Sequence, residues 1–122
     1  MSGETFDLFV YGTLRSGEPA AELLAGAEPL GPARVEGTLY DIDGRYPALM
    51  LAGRGVVEGE VWRCPVELLW RLDEYEGVEE GLFRRVGVRV GERACWTYVV
   101  GPTLARRLTA ENRVAGGRWA GA

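Results

Sequence analysis

The 122-residue sequence contains no histidine and no lysine, because all 14 of its basic residues are arginine. Without these side chains it cannot form a Ser-His-Asp triad, a Cys-His pair, a histidine-ligated zinc site, a lysine Schiff base or a Walker phosphate loop. Proton transfer near neutral pH must then use Asp, Glu, Tyr, Cys or water. A carboxylate is therefore the expected agent of any acid–base chemistry.

Basic runs, cysteines and long apolar stretches are also scarce. The formal net charge is −4 and arginine occurs at most as a doublet, which argues against the basic face that nucleic-acid binding requires. Two cysteines, Cys64 and Cys95, are too few for a disulfide framework, and no apolar run reaches membrane-spanning length. We therefore expect a soluble cytoplasmic protein with reduced core cysteines and with no nucleic-acid or membrane partner.

Three carboxylates, those of Glu36, Asp41 and Asp43, could suggest a metal site. Turn chemistry explains both aspartates more simply, because Asp side chains favour turns by bonding to nearby backbone groups. We therefore expect no metal site at these residues.

The sequence predicts one α+β domain over residues 1–122. Its length, its hydrophobic fraction of 47% and its charged fraction of 26% are those of a soluble globular domain with a single core. Short apolar runs separated by glycine-containing turns indicate successive strands. The predicted strands are Phe6–Tyr11, Val35–Ile42, Tyr46–Ala52, Val56–Cys64, and a hairpin of Leu82–Val90 with Ala94–Val100. Strands in a row with few helices favour a largely antiparallel or barrel-like sheet.

Helical signals are fewer. Pro65–Tyr75 predicts the main helix, because proline is favoured at the first helical position and Gly77 is placed to cap the end. Ala20–Leu24 predicts a short helix that ends near Gly26, and Thr103–Arg113 is compatible with another.

Glu76 is the first candidate for chemistry. On a helical wheel at about 100° per residue, Leu69 and Leu72 define the apolar stripe of the main helix, and Glu76 extends it. A carboxylate aimed at a core must be paired, hydrogen-bonded or protonated, and its pKa rises, which suits general acid–base catalysis. Alternatively, the helix has ended by residue 76, and the side chain reaches solvent or pairs with Arg84 or Arg85.

The loop that follows the first predicted strand, Tyr11-Gly12-Thr13-Leu14, is the second candidate. A glycine after a strand lets backbone N–H groups converge on an anion such as a carboxylate or a phosphate. Most strand-loop glycines serve only as turns, so both interpretations stay open. The loop matches neither the dinucleotide-binding glycine motif nor the Walker loop.

Several segments follow one another in a recognisable order: LFVYGTLRSGEP at 8–19, VEGTLYDIDGRYPALM at 35–50, VVEGEVWRC at 56–64, LLWRLDEYEGV at 68–78 and LFRRVGVRV at 82–90. Together they resemble the gamma-glutamylcyclotransferase-like family, which includes the gamma-glutamylamine cyclotransferases. They span most of the chain, and the joint match is specific where each segment alone would not be.

The resemblance implies both a fold and a reaction. The fold is a small closed β-barrel with mixed strand directions and short flanking helices. The reaction is an intramolecular acyl transfer without a cofactor, in which the α-amine of a gamma-glutamyl amine or small gamma-glutamyl peptide attacks its own γ-carbonyl. This attack closes the five-membered ring of 5-oxoproline and releases an amine. By the match to the family's motifs, Glu76 is the catalytic acid/base, and the loop Tyr11–Leu14 forms part of the cavity for the gamma-glutamyl group.

Phe83 departs from the family pattern, because several members carry a tyrosine there, whose hydroxyl could bond the substrate or Glu76. We place Phe83 with the substrate-binding residues. Its missing hydroxyl motivates a second hypothesis, a binding or sensing module that holds a small carboxylate in the same cavity without turnover. A third hypothesis is a purely structural barrel in which an arginine satisfies Glu76. The expected assembly is a monomer or a weak homodimer that binds a small gamma-glutamyl substrate.

Overall fold

Two β-sheets and several short helices make up the computed structural model, which describes residues 3–15, 17–18 and 21–119. The strands are β1 Thr5–Val10, β2 Glu28–Glu36, β3 Thr38–Ile42, β4 Tyr46–Met50, β5 Val56–Pro65, β6 Phe83–Val90 and β7 Arg93–Val100. The α-helices are α1 Leu69–Tyr75 and α2 Pro102–Ala105, and 3₁₀ turns span Ala21–Leu24, Val66–Leu68, Ala110–Asn112 and Ala115–Gly117. The predicted α+β class is confirmed.

Strand β1 lies at the centre of the main sheet, whose strand order is β2-β5-β1-β7-β6. It pairs antiparallel with β5 and parallel with β7, and the outer pairs β2–β5 and β6–β7 are antiparallel. Strands β3 and β4 form a separate antiparallel hairpin. The central position of β1 brings the loop that follows it, at residues 11–14, to the middle of one end of the main sheet.

The predicted closed barrel is wrong, because β2 and β6 are edge strands with no ladder between them in the described parts of the chain. Strand β2 contains Pro29 and Pro32, and proline is confined to edge strands because it lacks an N–H group. Strand β6 exposes Arg84 and Arg89, as edge strands that avoid further pairing do. The main sheet therefore stays open, and strand β4 of the separate hairpin packs against β7.

The predicted strand Val35–Ile42 is interrupted at Gly37, where the chain leaves the main sheet for the hairpin. A Cβ at Gly37 would lie 2.7 Å from the carbonyl oxygen of Met50, so glycine allows the two backbones to approach. The hairpin turn has positive φ at Asp43 and Gly44, 56° and 71°, the left-handed conformation that Asp and Gly tolerate in turns. Asp43 therefore has the predicted turn role, whereas the turn role predicted for Asp41 is wrong, because Asp41 lies within β3.

The helices are shorter than predicted. Pro65 still belongs to β5, so the predicted helix Pro65–Tyr75 consists of a 3₁₀ turn at 66–68 followed by α1. The predicted helix Thr103–Arg113 ends after the single turn α2. Further on, the N–H group of Thr109 donates to Oδ1 of Asn112 over 2.8 Å, and such side-chain bonds compete with a continuous helix.

The predicted short helix at Ala20–Leu24 is a 3₁₀ turn over Ala21–Leu24. Ala20 lies outside the described residues, as do Ser16 and Pro19 in the predicted loop before it. Within the described ranges, the structure contains no helix with the length and apolar character needed to cross a membrane.

Core residues cover both faces of β1. Leu8 and Val10 belong to one buried cluster and Phe9 to another, as the alternation of side chains along a strand requires. Cys64 and Cys95 are buried free thiols, so the prediction that they are core residues is confirmed. Burial raises the pKa of Cys64 to about 12, which keeps its thiol protonated and unreactive.

Candidate active site

A cavity of about 250 Å³ opens where the end of β1, the β3–β4 hairpin, the end of α1 and strands β6 and β7 meet. Its wall contains every site residue predicted from the sequence, namely Tyr11, Gly12, Thr13, Leu14, Glu76 and Phe83. The other wall residues are Phe9, Val10, Arg45, Tyr46, Pro47, Tyr75, Leu82 and Tyr98. The fold thus brings the glycine loop and the end of the main helix to the same place.

Glu76 reaches the cavity because helix α1 stops at this residue. It is the C-cap, with φ −82° and ψ −3°, and Gly77 follows in the left-handed conformation at φ 67°. The Gly77 N–H donates to the Glu74 carbonyl and the Val78 N–H donates to the Asp73 carbonyl, both over 3.1 Å, which is the Schellman pattern. The predicted glycine cap is therefore present, and it fixes the position of Glu76.

No hydrogen bond or ion pair joins the Glu76 carboxyl group to another described residue. Arg85, one of the arginines considered as its partner, donates from Nε to Oδ1 of Asp73 over 2.9 Å and from Nη2 to Oδ2 over 3.2 Å. Arg84, the other, is solvent-exposed. The arginine pairing of Glu76 that the sequence left open is therefore not observed.

The environment of Glu76 favours its protonated form. Burial raises the pKa of Glu76 to about 8, and the negative charge of Asp73 adds to the shift. The side chain keeps partial solvent access because it lines a cavity, yet the surrounding protein atoms remove much of the hydration of its carboxyl group. A carboxyl group with a pKa close to neutrality can both give and accept a proton at physiological pH.

Asp73 belongs to a polar cluster that sequence reasoning missed. Besides the bonds from Arg85, it accepts one from the Tyr98 hydroxyl over 2.6 Å. The guanidinium carbon of Arg85 lies 4.5 Å from the ring centre of Trp96, a cation–π contact. Burial alone would raise the pKa of Asp73, but the hydrogen bonds from Arg85 and Tyr98 outweigh it and hold that pKa below its usual range. The sequence feature that could have pointed to Asp73 is its position three residues before Glu76, because residues three apart are neighbours on a helix surface.

Tyr11 anchors the glycine loop from inside the protein. Its hydroxyl donates to the Tyr98 carbonyl over 2.5 Å and accepts from the Leu49 N–H over 3.3 Å, which ties the end of β1 to β7 and β4. Burial raises the pKa of Tyr11 well above its ordinary value, and the charge of Glu76 adds to this shift. Tyr11 is therefore a neutral hydrogen-bonding anchor.

Gly12 permits a close approach between the loop and the β3–β4 hairpin, because a Cβ there would lie 2.5 Å from Cγ of Pro47. Next to it, Oγ1 of Thr13 lies 2.8 Å from the Tyr75 hydroxyl, a hydrogen bond that joins the loop to α1. Among the described residues, the N–H groups of Thr13 and Leu14 donate to no backbone carbonyl. These two N–H groups, on residues that line the cavity, are therefore free of backbone acceptors among the described residues.

Arg15, which sequence reasoning also missed, supports the loop from within the core. Its side chain is buried, and it donates from Nε to the Gly12 carbonyl over 3.3 Å and from Nη2 to the Trp119 carbonyl over 2.6 Å. The Glu18 carboxylate lies 3.7 Å from the same guanidinium group. Since Trp119 is 104 residues away along the chain, no local sequence pattern could have marked this role.

Phe83 contributes an apolar part of the cavity wall. It is buried, and its ring centre lies 6.0 Å from that of Tyr46. The side chain offers the cavity hydrocarbon surface and no hydrogen-bonding group, so any polar contact with a ligand must come from other wall residues.

Known proteins resemble this chain in sequence and in fold. A family model described as gamma-glutamyl cyclotransferase, AIG2-like, matches residues 8–121. The chain belongs to this family. A gamma-L-glutamyl-butirosin B gamma-glutamyl cyclotransferase of Niallia circulans is 38% identical over 103 residues, which are 76% of this chain and 65% of that relative's length. A putative gamma-glutamylcyclotransferase of Vibrio cholerae serotype O1 is 36% identical over 94 residues, 75% of this chain and 79% of that protein.

Solved structures share the fold of this gamma-glutamyl cyclotransferase family member. An uncharacterized protein from Pyrococcus horikoshii superposes with a TM-score of 0.76 at 29% identity, over 93% of this chain and 89% of that one. An AIG2-like protein from mouse superposes with a TM-score of 0.69 at 20% identity, over 89% of this chain and 82% of that one, which shows the fold alone. The arrangement of a mixed sheet and short helices is thus shared well beyond this sequence.

Proposed function

We propose that this member of the gamma-glutamyl cyclotransferase family converts a gamma-glutamyl amine or a small gamma-glutamyl peptide into 5-oxoproline and a free amine. The observation that carries the proposal is the position of Glu76, the sole carboxylate among the described wall residues, in one cavity with the glycine loop. The raised pKa of Glu76 supports a role in proton transfer. Family membership supports the class of reaction.

The proposed reaction is an intramolecular acyl transfer, so every heavy atom of the substrate ends in one of the two products. The α-amine attacks the γ-carbonyl carbon, a new C–N bond closes the five-membered ring, and the bond to the leaving amine breaks. Both reacting groups belong to one substrate molecule. The enzyme therefore has to bind the substrate conformer in which the α-amine lies next to the γ-carbonyl, and it does not have to bring two partners together.

Glu76 moves the protons in this proposal. The raised pKa of Glu76, about 8, makes its carboxylate a stronger base than that of an ordinary glutamate, which suits it to accept a proton from the substrate α-amine. Glu76 takes a proton from the attacking nitrogen and returns it to the leaving nitrogen.

The glycine loop supplies hydrogen-bond donors for the charged oxygens of the substrate. The N–H groups of Thr13 and Leu14 are available, as described above, and can hold either the α-carboxylate or the oxyanion that develops on the γ-carbonyl. The buried rings of Phe83 and Tyr98 give the cavity apolar surface beside Glu76.

Replacement of Glu76 by glutamine tests the proposal directly. Glu76→Gln keeps the shape of the side chain but cannot shuttle a proton, so we expect kcat for 5-oxoproline release to fall roughly 10²- to 10⁴-fold. The measurement is chromatographic detection of 5-oxoproline from a panel of gamma-glutamyl amines and dipeptides, with thermal melting to check that the variant is folded.

Glu74→Gln is the matched control, because Glu74 lies on the same helix, is solvent-exposed and does not line the cavity. We expect it to retain wild-type turnover. Wild-type activity in Glu76→Gln would reject the assigned role of Glu76. If the wild type binds gamma-glutamyl compounds in calorimetry and releases no 5-oxoproline from the panel, the protein is a binding module and the proposed enzymatic function is wrong.

A further inference from the structure

Arg45 lines the cavity, and the proposed reaction does not use it. Among the described wall residues, Arg45 is the one basic residue and Glu76 the one acidic residue. The Arg45 side chain is solvent-exposed, and it forms no ion pair with a carboxylate elsewhere in the described ranges. A single guanidinium group that has no ion-pair partner among the described residues therefore borders the cavity.

The acidic residue closest to Arg45 in the sequence is engaged elsewhere. The carboxylate of Asp43 pairs with Nη2 of Arg107, beyond helix α2. The Arg45 N–H group donates to the Ile42 carbonyl over 2.9 Å, so the backbone of the hairpin turn is fixed while the Arg45 side chain stays available. In this structure Asp43 therefore pairs with Arg107 and not with Arg45.

Burial divides the cavity wall into an interior and a rim. Leu14, Phe83 and Tyr98 are buried, whereas Arg45 and Tyr75 are exposed. The volume of about 250 Å³ lies slightly below the usual range for small-molecule sites, about 300–1,000 Å³. The gamma-glutamyl group has to bring its α-amine and γ-carbonyl to Glu76, so in a cavity this small the leaving amine extends toward the rim.

We propose that Arg45 is a specificity-determining residue that reads the charge of the leaving amine. This inference rests on the proposed function. The guanidinium group attracts a leaving amine that carries a carboxylate and repels one that carries a second ammonium group. Gamma-glutamyl amino acids are then better substrates than matched derivatives of neutral or cationic amines. Because the rim is exposed to solvent, the preference is modest, roughly three- to tenfold for carboxylate over neutral amide.

Three substrates of similar shape test the inference: gamma-glutamyl-alanine, gamma-glutamyl-alaninamide and the gamma-glutamyl amide of 1,2-diaminopropane. They present a carboxylate, a neutral amide and an ammonium group at the same place. We expect kcat/KM for 5-oxoproline release to decrease in that order in the wild type. In Arg45→Gln the three values should converge, and in Arg45→Glu the order should reverse.

Arg34→Gln is the matched control, because Arg34 is an exposed arginine on β2 outside the cavity wall, and it should keep the wild-type order. Equal kcat/KM for the three substrates in the wild type would overturn the inference and leave the proposed function intact. An equal loss of kcat/KM for all three substrates in Arg45→Gln would show that Arg45 acts on the gamma-glutamyl group that they share. That result would also overturn the inference. The absence of 5-oxoproline from every substrate would overturn both proposals.

Discussion

The proton on Glu76 links the stability of the fold to pH. Burial and the charge of Asp73 raise the pKa of Glu76 from its ordinary value of 4.5 to about 8. Between these two values the folded protein keeps a proton that the unfolded chain has released. The free energy of unfolding therefore falls as the pH rises through this window. Such a burden on stability is typical of a group that is kept for chemistry rather than for structure.

Glu76→Gln should remove this pH dependence. We expect the variant to be more stable than the wild type at about pH 8, by on the order of 4 kcal/mol, and by about 1 kcal/mol or less at about pH 5. Urea denaturation at the two pH values measures the difference, with Glu74→Gln as the control for loss of an exposed carboxylate from the same helix. If Glu76→Gln stabilised the protein equally at both pH values, the result would contradict a raised pKa of Glu76.

At the scale of elements, Asp73 holds helix α1 against β6 and β7. It receives two nitrogens of Arg85 and the Tyr98 hydroxyl, one turn before Glu76. A neutral amide keeps the shape of Asp73 but weakens these charge-assisted bonds and leaves Arg85 without its counter-ion. The same side chain therefore serves both the packing of the helix and the electrostatics of the cavity.

We expect Asp73→Asn to lower the free energy of unfolding by about 1–2 kcal/mol near neutral pH, a modest value because the pair is partly exposed. The pKa of Glu76 should fall as well, since a neighbouring negative charge is lost. Urea denaturation measures the first effect, and carbon NMR titration of the glutamate carboxyl signals measures the second, with Glu76→Gln to assign the signal. An unchanged pKa of Glu76 in Asp73→Asn would show that burial alone causes the shift.

The elements whose bounds are set by residues close to them in the sequence could be predicted. The apolar period of α1 and the glycine at position 77 indicate where the helix ends, and this places Glu76 beside the core. The partners of Asp73 lie on β6 and β7, where no local pattern marks them. The helix signal at Thr103–Arg113 was misleading because Thr109 and Asn112 bond to each other instead.

The closed barrel was a wrong expectation even though the sequence held contrary evidence. Pro29 and Pro32 remove two N–H donors from β2 and mark it as an edge strand. Closure is a property of the whole sheet, because it depends on whether the first and last strands in space can pair. A family resemblance indicates the number and order of the strands. It is a weaker guide to whether the two outermost strands can pair.

At the scale of the whole molecule, the glycine loop depends on a residue near the other end of the chain. Arg15 links the Gly12 carbonyl to the Trp119 carbonyl. Trp119 is buried in the same core cluster as Phe9, and its Nε1 donates to Oδ1 of Asp41 over 3.1 Å. The loop, the β3–β4 hairpin and the segment after α2 thus form one connected support for the cavity.

Trp119→Ala should weaken both the fold and the site. Loss of the buried indole leaves a void and should lower the free energy of unfolding by about 3–5 kcal/mol. Because the Trp119 carbonyl then loses its fixed position, Arg15 holds the loop less firmly, and we expect KM for a gamma-glutamyl substrate to rise more than kcat falls.

The matched control is Trp119→Phe, which keeps a buried aromatic ring but removes part of the indole volume and the bond to Asp41. It should destabilise the protein by about 1–2 kcal/mol, less than Trp119→Ala, and leave KM near the wild-type value. Both variants are assayed at a temperature at which circular dichroism shows them folded, so that a change in KM reports on the loop. If folded Trp119→Ala keeps the wild-type KM, then Arg15 positions the loop through Gly12 alone, and the two ends of the chain are coupled only through stability.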